Sequence, residues 1–294
     1  MQNWLSPPDP SANHNIACKA HHKGTASWFF QGGIFKQWKL SPSLLWIHGK
    51  RTSFLLPVPL HPTEYHICSG LRQKRPVVGY FLICFLRLLT SSLSSGIIQD
   101  IVVHREAGLA ITAYFYCDFR DEDKQNCRKL VLSLISQLCA QSDICWGSLF
   151  RIYSAHDDGA QKPSDETLIN CLMEMVSLPV QGPIYLIMDA LDECPNDSGL
   201  PTAREEVLDL INDLIALQLP NLHICVTSRP KIDIQTALEP LTMLCVSLHN
   251  QTGQKEDIVD YVSSVVYSDK KMRRWREEDR KLVIDTLSER ADGM

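Results

Sequence analysis

The chain has 294 residues, 45% hydrophobic and 21% charged, with only 14 Gly and 16 Pro, a composition that excludes disordered, collagen-like and low-complexity proteins. At about 150 residues per domain the length allows one large or two small domains with an ample core. The net charge of −5 is uneven, with 11 Lys and Arg against 4 Asp and Glu over residues 1–110 and 18 against 30 over residues 111–294, but five of the early basic residues fall in one irregular stretch, so nucleic acid is not expected as a partner.

The eleven Cys are odd in number, with neither CxxC pairs nor Cys/His ligand spacing, and no secretory signal opens the chain. Reduced, buried thiols in a cytoplasmic protein are the expectation. The most apolar window, Val77–Leu89, is thirteen residues long and interrupted by Gly79 and Arg87, whereas a spanning helix needs about 20. Neither a transmembrane segment nor a membrane partner is expected.

In chain order, Ser43–Ile47 (SLLWI) ending in His48-Gly49-Lys50 reads as a strand running into a Gly turn. Arg51–Ser92 follows, with Pro57, Pro59, Pro62 and Pro76 and one acid, Glu64. Structureless connections beyond about 12–15 residues are uncommon in compact domains, so 51–92 reads as an irregular insertion, a functional excursion or an error in the gene model. Leu93–Arg105 reads as a helix.

From there short β-rich runs alternate with helical patterns, which predicts an α/β fold with a parallel sheet. Ile111–Phe119 is the next strand. Asp121–Gln141 is a predicted helix, with Val131, Leu134, Ile135 and Leu138 on one face, and Ser164–Leu178 another, with Ile169, Leu172, Met173 and Val176 on one side. Pro183–Met188 (PIYLIM) reads as a strand buried on both faces. Ala203–Leu217 is a predicted helix, Leu222–Thr227 and Met243–Leu248 predicted strands, and Asp257–Tyr267 and Glu277–Ala291 predicted helices. The chain stops at Met294 without turn chemistry and reads as cut rather than finished.

Ligands of open α/β sheets bind at the carboxyl ends of the strands, and two strand ends stand out. After Ile184–Met188 comes Asp189-Ala190-Leu191-Asp192-Glu193. Such a cluster suits an NTPase in which the first Asp holds Mg²⁺ and a later acid orients the attacking water. The plainer alternative is a pair of acids favouring a following helix N-terminus. The second is Thr227-Ser228-Arg229-Pro230, where hydroxyls and a guanidinium beside those carboxylates suit a γ-phosphate, or else simply a polar loop opened by Pro230. The two strand ends in this order favour a nucleotide.

Trp4–Pro10, Gly24-Thr25 with Trp28-Phe29, Leu44–Gly49, Leu93-Ser94-Ser95 with Ile97–Ile101, Ala113–Phe119, Tyr185–Cys194, His223–Pro230 and Ala291–Met294 together resemble the NACHT class of STAND P-loop NTPases. The form is that of fungal NOD-like receptors and the nephrocystin-3-like N-terminal domain. The resemblance implies a three-layer P-loop NTPase-like parallel sheet flanked by helices, with a lead-in over 1–42, a core over 43–250 and the start of a helical region over 251–294. It implies ATP or GTP with Mg²⁺ as cofactor, and nucleotide-dependent signalling with self-association or signalling proteins as partners. It makes Asp189 the Walker B metal-side carboxylate, Asp192 or Glu193 the hydrolytic acid and Arg229, with Thr227 on the same strand end, the sensor. Thr25 lies in the stretch upstream of the P-loop, near the base, and Gly49 and Lys50 stand where the P-loop begins.

No G-x-x-x-x-G-K-S/T occurs anywhere in the sequence; Gly49-Lys50 runs into Arg51-Thr52. Lys50 lacks the Gly four to five residues earlier that lets backbone N–H groups close around phosphates. Three or four lost charge-assisted bonds, at about 1.5–3 kcal/mol each, weaken binding on the order of a thousandfold or more. The family is nucleoside-triphosphatase, and catalysis by this chain is left open. The alternative is a non-enzymatic scaffold or interaction remnant, or a truncated gene-model product.

Overall fold

The computed structural model describes residues 2–20, 26–49, 93–179, 182–197, 199–248, 259–260, 262–264, 266–269 and 272–291. The predicted insertion 51–92, together with Gly24, Thr25 and Lys50, lies outside the described residues.

Among the described residues five strands form one sheet: β1 (Leu44–His48), β2 (Ile111–Tyr116), β3 (Ile184–Asp189), β4 (Leu222–Ser228) and β5 (Leu244–Ser247). Their order is β2-β3-β4-β1-β5, and every neighbouring pair is parallel, with Leu44 opposite Ile224, Leu45 opposite Leu244, Ile111 opposite Ile184 and Met188 opposite Val226. The α/β class expected from the alternation is the one found. All strands being parallel, their carboxyl ends share one rim.

The helices among the described residues include α1 (Gln2–Leu5), α2 (Ser11–Ala20), α3 (Ser27–Gln31), α4 (Gly33–Leu40), α5 (93–106), α6 (Cys127–Cys139), α7 (Asp143–Ala155), α8 (Asp165–Val176), α9 (Ala203–Ala216), α10 (Ile232–Leu238) and α11 (Glu277–Ala291). They cover both faces of the sheet. Because successive strand residues point to opposite faces, each strand divides its side chains between two cores. Leu44, Trp46, Ala113, Phe115, Leu186, Met188, Ile224 and Val226 pack with α6, α8, α9 and α10. Leu45, Ile47, Tyr116, Tyr185, Ile187 and Cys225 pack with α3, α4 and α5, where Phe29, Phe35, Trp38, Ile97, Ile98 and Ile101 are buried. β3 and β4 are buried along their whole length, the reason their sequences are apolar without alternation.

Both buried indoles have partners, as burial demands. Trp38 donates to the carbonyls of Ser43 and Ile224, each at 3.2 Å, and Trp46 donates to Ser228 Oγ at 2.9 Å. His223 Nδ1 lies 2.7 Å from the Trp38 carbonyl; a carbonyl only accepts, so Nδ1 carries the proton.

Two expectations are revised in extent. Asp121–Gln141 is not one helix but a 3-10 turn, Glu122–Lys124, followed by α6; Asp121 accepts from the Asp123 N–H, and the extended Asn126 (φ −133°) caps α6 by accepting from the Lys129 N–H. The strand expected over Ile111–Phe119 ends at Tyr116, because beyond Cys117 the backbone turns, with Asp118 N–H donating to the Lys124 carbonyl at 3.3 Å and Asp121 N–H to the Asp118 carbonyl at 3.0 Å.

β2 is an edge strand whose outward groups are covered. The Gln137 amide accepts from Tyr114 N–H at 3.1 Å and donates to its carbonyl at 2.8 Å. Gln141, just past the end of α6, does the same to Thr112 at 3.1 and 2.7 Å.

Candidate functional site

Asp189 is the last residue of β3 and is 2% exposed. Met188 opposite Val226 sets Asp189 level with Thr227, and both point to the sheet face that α5 covers. Thr227 Oγ1 accordingly donates to Asp189 Oδ1 at 2.6 Å, and Ser94 Oγ, in the first turn of α5, donates to the same oxygen at 2.5 Å. Ala190 N–H in turn donates to Thr227 Oγ1 at 3.0 Å. The result is a buried carboxylate fed by two hydroxyls at the rim where the strands end.

Ala190 takes the left-handed conformation (φ 56°, ψ 45°), a strained state for a residue with a Cβ, and this reverses the chain into the 3-10 turn Leu191–Glu193. Asp192 is thereby buried beside the end of β4. Its Oδ1 accepts from the Arg229 N–H at 2.8 Å and its Oδ2 from the Arg229 guanidinium. Glu193 turns the other way, its Oε2 accepting from Phe119 N–H at 3.2 Å.

Beneath this turn lies Arg204, 4% exposed. It donates to the Asp192 carbonyl at 2.9 Å, to the Cys194 carbonyl at 3.1 and 2.6 Å, and to Asp233 Oδ2 at 2.7 Å. Burial alone would raise the Asp233 carboxyl, but the hydrogen bond and charge of Arg204 outweigh it and hold it below the ordinary range. Lys231 Nζ also donates to the Asp192 carbonyl, at 3.0 Å, and burial, with the charges of Arg204 and Arg229, lowers its pKa. An open cavity of about 630 Å³ runs over these groups, lined by Phe119, Asp192, Glu193, Asn196, Arg229 and Lys231 among others.

Of the residues singled out in the sequence, Asp189 and Thr227 are in direct contact, as are Asp192 and Arg229. Gly49 follows β1, and its N–H donates to the Ser228 carbonyl at 3.4 Å, carrying the ladder one residue further. A Cβ there would meet Leu248 at an ordinary 3.4 Å, so no close approach requires this glycine. Thr25 and Lys50 lie outside the described residues. Ser94, Arg204 and Lys231 join the site without having been assigned a role from the residues. Ser94 carried one available signal, its place opening the helix after the interrupted loop; Arg204 lies in a helical run with nothing in its neighbours to mark it.

The donors around Asp189 are all oxygens, which suits a hard cation such as Mg²⁺, bound through one or two carboxylates plus phosphate and water. Among the described residues no group of three or more His, Cys, Asp or Glu forms a cage. No helix among them is long and apolar enough to cross a membrane.

Residues 90–229 match the family model of the nephrocystin 3 N-terminal region, just under half of the chain, containing α5 through β4 and with them Asp189, Asp192, Glu193, Thr227 and Arg229. No curated protein sequence matches the chain. Similar solved structures include the Aeropyrum pernix Orc1 protein in complex with DNA, at 12% identity and a TM-score of 0.35, covering 97% of this chain and 62% of that one. Another is Drosophila ORC bound to GC-rich DNA and Cdc6, at 10% identity and a TM-score of 0.34, covering 95% and 83%. The chain thus spans less than two thirds of the first of these proteins. Both are complexes with DNA, so the sequence-based exclusion of nucleic acid as a partner is withdrawn; what those proteins bind is said of them alone.

Proposed function

We propose that this chain is a nucleotide-dependent switch module of the NACHT type, of the kind found in fungal NOD-like receptors, taking ATP or GTP with Mg²⁺ at the carboxyl end of β3. The observation that carries the reading is the buried Asp189 carboxylate with the Ser94 and Thr227 hydroxyls on its Oδ1, in the segment that matches the nephrocystin 3 N-terminal model. In this reading Asp189 holds the metal, and bound Mg²⁺ neutralises phosphate charge. Asp192 or Glu193 accepts a proton from the attacking water. Arg229 reads the terminal phosphate after leaving Asp192, since its guanidinium makes bidentate bonds to phosphate oxygens. Thr25 is assigned a role toward the base and Gly49 and Lys50 the start of the phosphate loop, and the module is divided at 1–42, 43–250 and 251–294. The nine cysteines among the described residues, most of them buried, support a cytoplasmic setting.

Without a G-x-x-x-x-G-K-S/T loop the phosphate grip is weakened, and affinity is submillimolar at best. Calorimetric titration with Mg-ATP and Mg-GTP tests this. Weak binding that needs Mg²⁺ and disappears in Asp189→Ala supports it; no binding at millimolar nucleotide, or binding that Asp189→Ala leaves intact, overturns it, and low-micromolar affinity overturns the weakened grip. A scaffold that binds no nucleotide is favoured by one observation: Asp189 with Thr227, and Asp192 with Arg229, already satisfy each other. There, Asp189→Ala changes stability alone.

A further inference from the structure

The segment leaving β2 and the acidic turn after β3 touch at three points. Cys117 N–H donates to the Asp189 carbonyl at 3.0 Å, Phe119 N–H to Glu193 Oε2 at 3.2 Å, and the Cys194 thiol to Cys117 Sγ at 3.4 Å. The last contact joins two thiols 77 residues apart in sequence, 4% and 1% exposed. Other buried thiols point elsewhere: Cys127 to the Glu206 carbonyl at 3.7 Å and Cys139 to the Cys145 carbonyl at 3.5 Å. We propose that Cys117 and Cys194 are an oxidisable pair whose reversible disulfide fastens the acidic turn Leu191–Glu193 to the end of β2.

The geometry asks little. A disulfide needs its sulfurs about 2.05 Å apart, so closure from 3.4 Å takes about 1.4 Å of movement. Cys194 lines the cavity that also contains Asp192, Glu193 and Arg229, and with the residue only 1% exposed a small oxidant such as hydrogen peroxide reaches its sulfur when the turn opens locally. The Cys194 thiolate attacks one peroxide oxygen, the O–O bond breaks, and the leaving hydroxide takes up the thiol proton as water, leaving a sulfenic acid. Cys117 sulfur then attacks the Cys194 sulfur, the S–O bond breaks, and a second water leaves with the Cys117 proton. Two thiols lose two electrons and two protons, and one peroxide becomes two waters. Cys194 lines the cavity and Cys117 does not, which sets Cys117 in the second, resolving position. A dithiol reductant reverses the bond by exchange.

The consequence is mechanical. The Cys117 N–H already holds the Asp189 carbonyl before the turn and Arg204 the Cys194 carbonyl after it; a bond at the Cys194 sulfur makes the second tie covalent, with Asp192 and Glu193 between the two. In the nucleotide reading, on which this last point rests, Asp192 must release Arg229, and the oxidised form resists that release. The pairing itself depends only on proximity.

The experiment exposes the full chain to hydrogen peroxide under native conditions, then alkylates and digests it without reduction for mass spectrometry. A Cys117–Cys194 linked peptide, two hydrogens lighter than its parts, is the expected dominant crosslink. It is lost with dithiothreitol, and in Cys117→Ser it is replaced by a Cys194 sulfenic acid that dimedone traps. Amides 190–194 of the oxidised form should exchange hydrogen about tenfold or more slowly than in the reduced form. Linkage of either sulfur mainly to another cysteine, Cys68 and Cys84 included, overturns the pairing, as does the same crosslink pattern in 8 M urea, where native proximity is gone. Unchanged exchange in a fully linked protein overturns the fastening. Mg-ATP titration of the oxidised and reduced forms separates this from the nucleotide reading, because the crosslink is read with no nucleotide present.

Discussion

Arg204 is a cation in the interior whose donors go chiefly to carbonyl oxygens, those of Asp192 and Cys194, with Asp233 taking one. Removing it leaves the Cys194 carbonyl and Asp233 without that donor, and the Asp192 carbonyl with Lys231 alone, so Arg204→Met should destabilise the fold by about 3–5 kcal/mol, the usual cost of breaking a buried pair from one side. Urea unfolding measures it, and Arg204→Lys should recover only part, since an ammonium lacks the planar fork. Past the end of β2, the exposed Arg120 donates to the largely buried Asp118 and holds its carboxyl down to about 2. A carboxyl pKa lower in the folded than in the unfolded chain adds stability that is complete above the unfolded value near 3.8 and is lost as pH falls toward 2. Arg120→Ala should therefore flatten the fall in unfolding free energy between about pH 5 and 2; an unchanged slope would show that the pair contributes nothing to acid stability. The acids at 189, 192 and 193 stood out in the sequence because they break an apolar run. Arg204 did not, since its importance comes from a turn ten residues earlier in the chain folding back over it.

At the next scale, Gln137 and Gln141 cover the edge of β2 because two periods coincide. Four helical residues rise about 6.0 Å and two strand residues about 6.6 Å, so amides at i and i+4 meet the backbones of Thr112 and Tyr114 as a neighbouring strand would. Exposed edges are templates for pairing with another chain. Gln137→Leu with Gln141→Leu should leave the monomer folded yet prone to associate, seen as growing oligomers by light scattering at rising concentration; a strictly monomeric double variant would mean the edge is protected by something else. Strands buried on both faces and helices buried along one were legible: β1, β3, β4, α8 and α9 lie where their apolar runs and periodicity put them. α7 was not, because Ile144, Trp146 and Phe150 are exposed while Cys145, Ser148 and Leu149 are buried, which scrambles its hydrophobic period. α10 has only Ile234 and Leu238 buried in seven residues, too short a signal to read.

For the molecule as a whole, sequence periodicity conveys that there are strands and helices but not who neighbours whom. The order β2-β3-β4-β1-β5 is set by long-range pairing, and β1, second from one edge, is the strand least predictable from its surroundings in the chain. Its partner in β4 begins far downstream, with Leu44 opposite Ile224, 180 residues away. The ribosome adds about 5–20 residues per second, so β1 emerges about 10–40 s before the strand that will pair with it, and β5 comes later still. Throughout that interval Leu44, Leu45, Trp46 and Ile47, all buried in the finished fold, have no sheet to enter. Half the nascent chain must wait on the other half. Chains ending before residue 222 should consequently remain uncompacted around β1 and bind a hydrophobic dye such as ANS, whereas chains reaching residue 248 should bind far less. Equal dye binding by the two lengths would mean that β1 finds shelter earlier than its sheet partners allow.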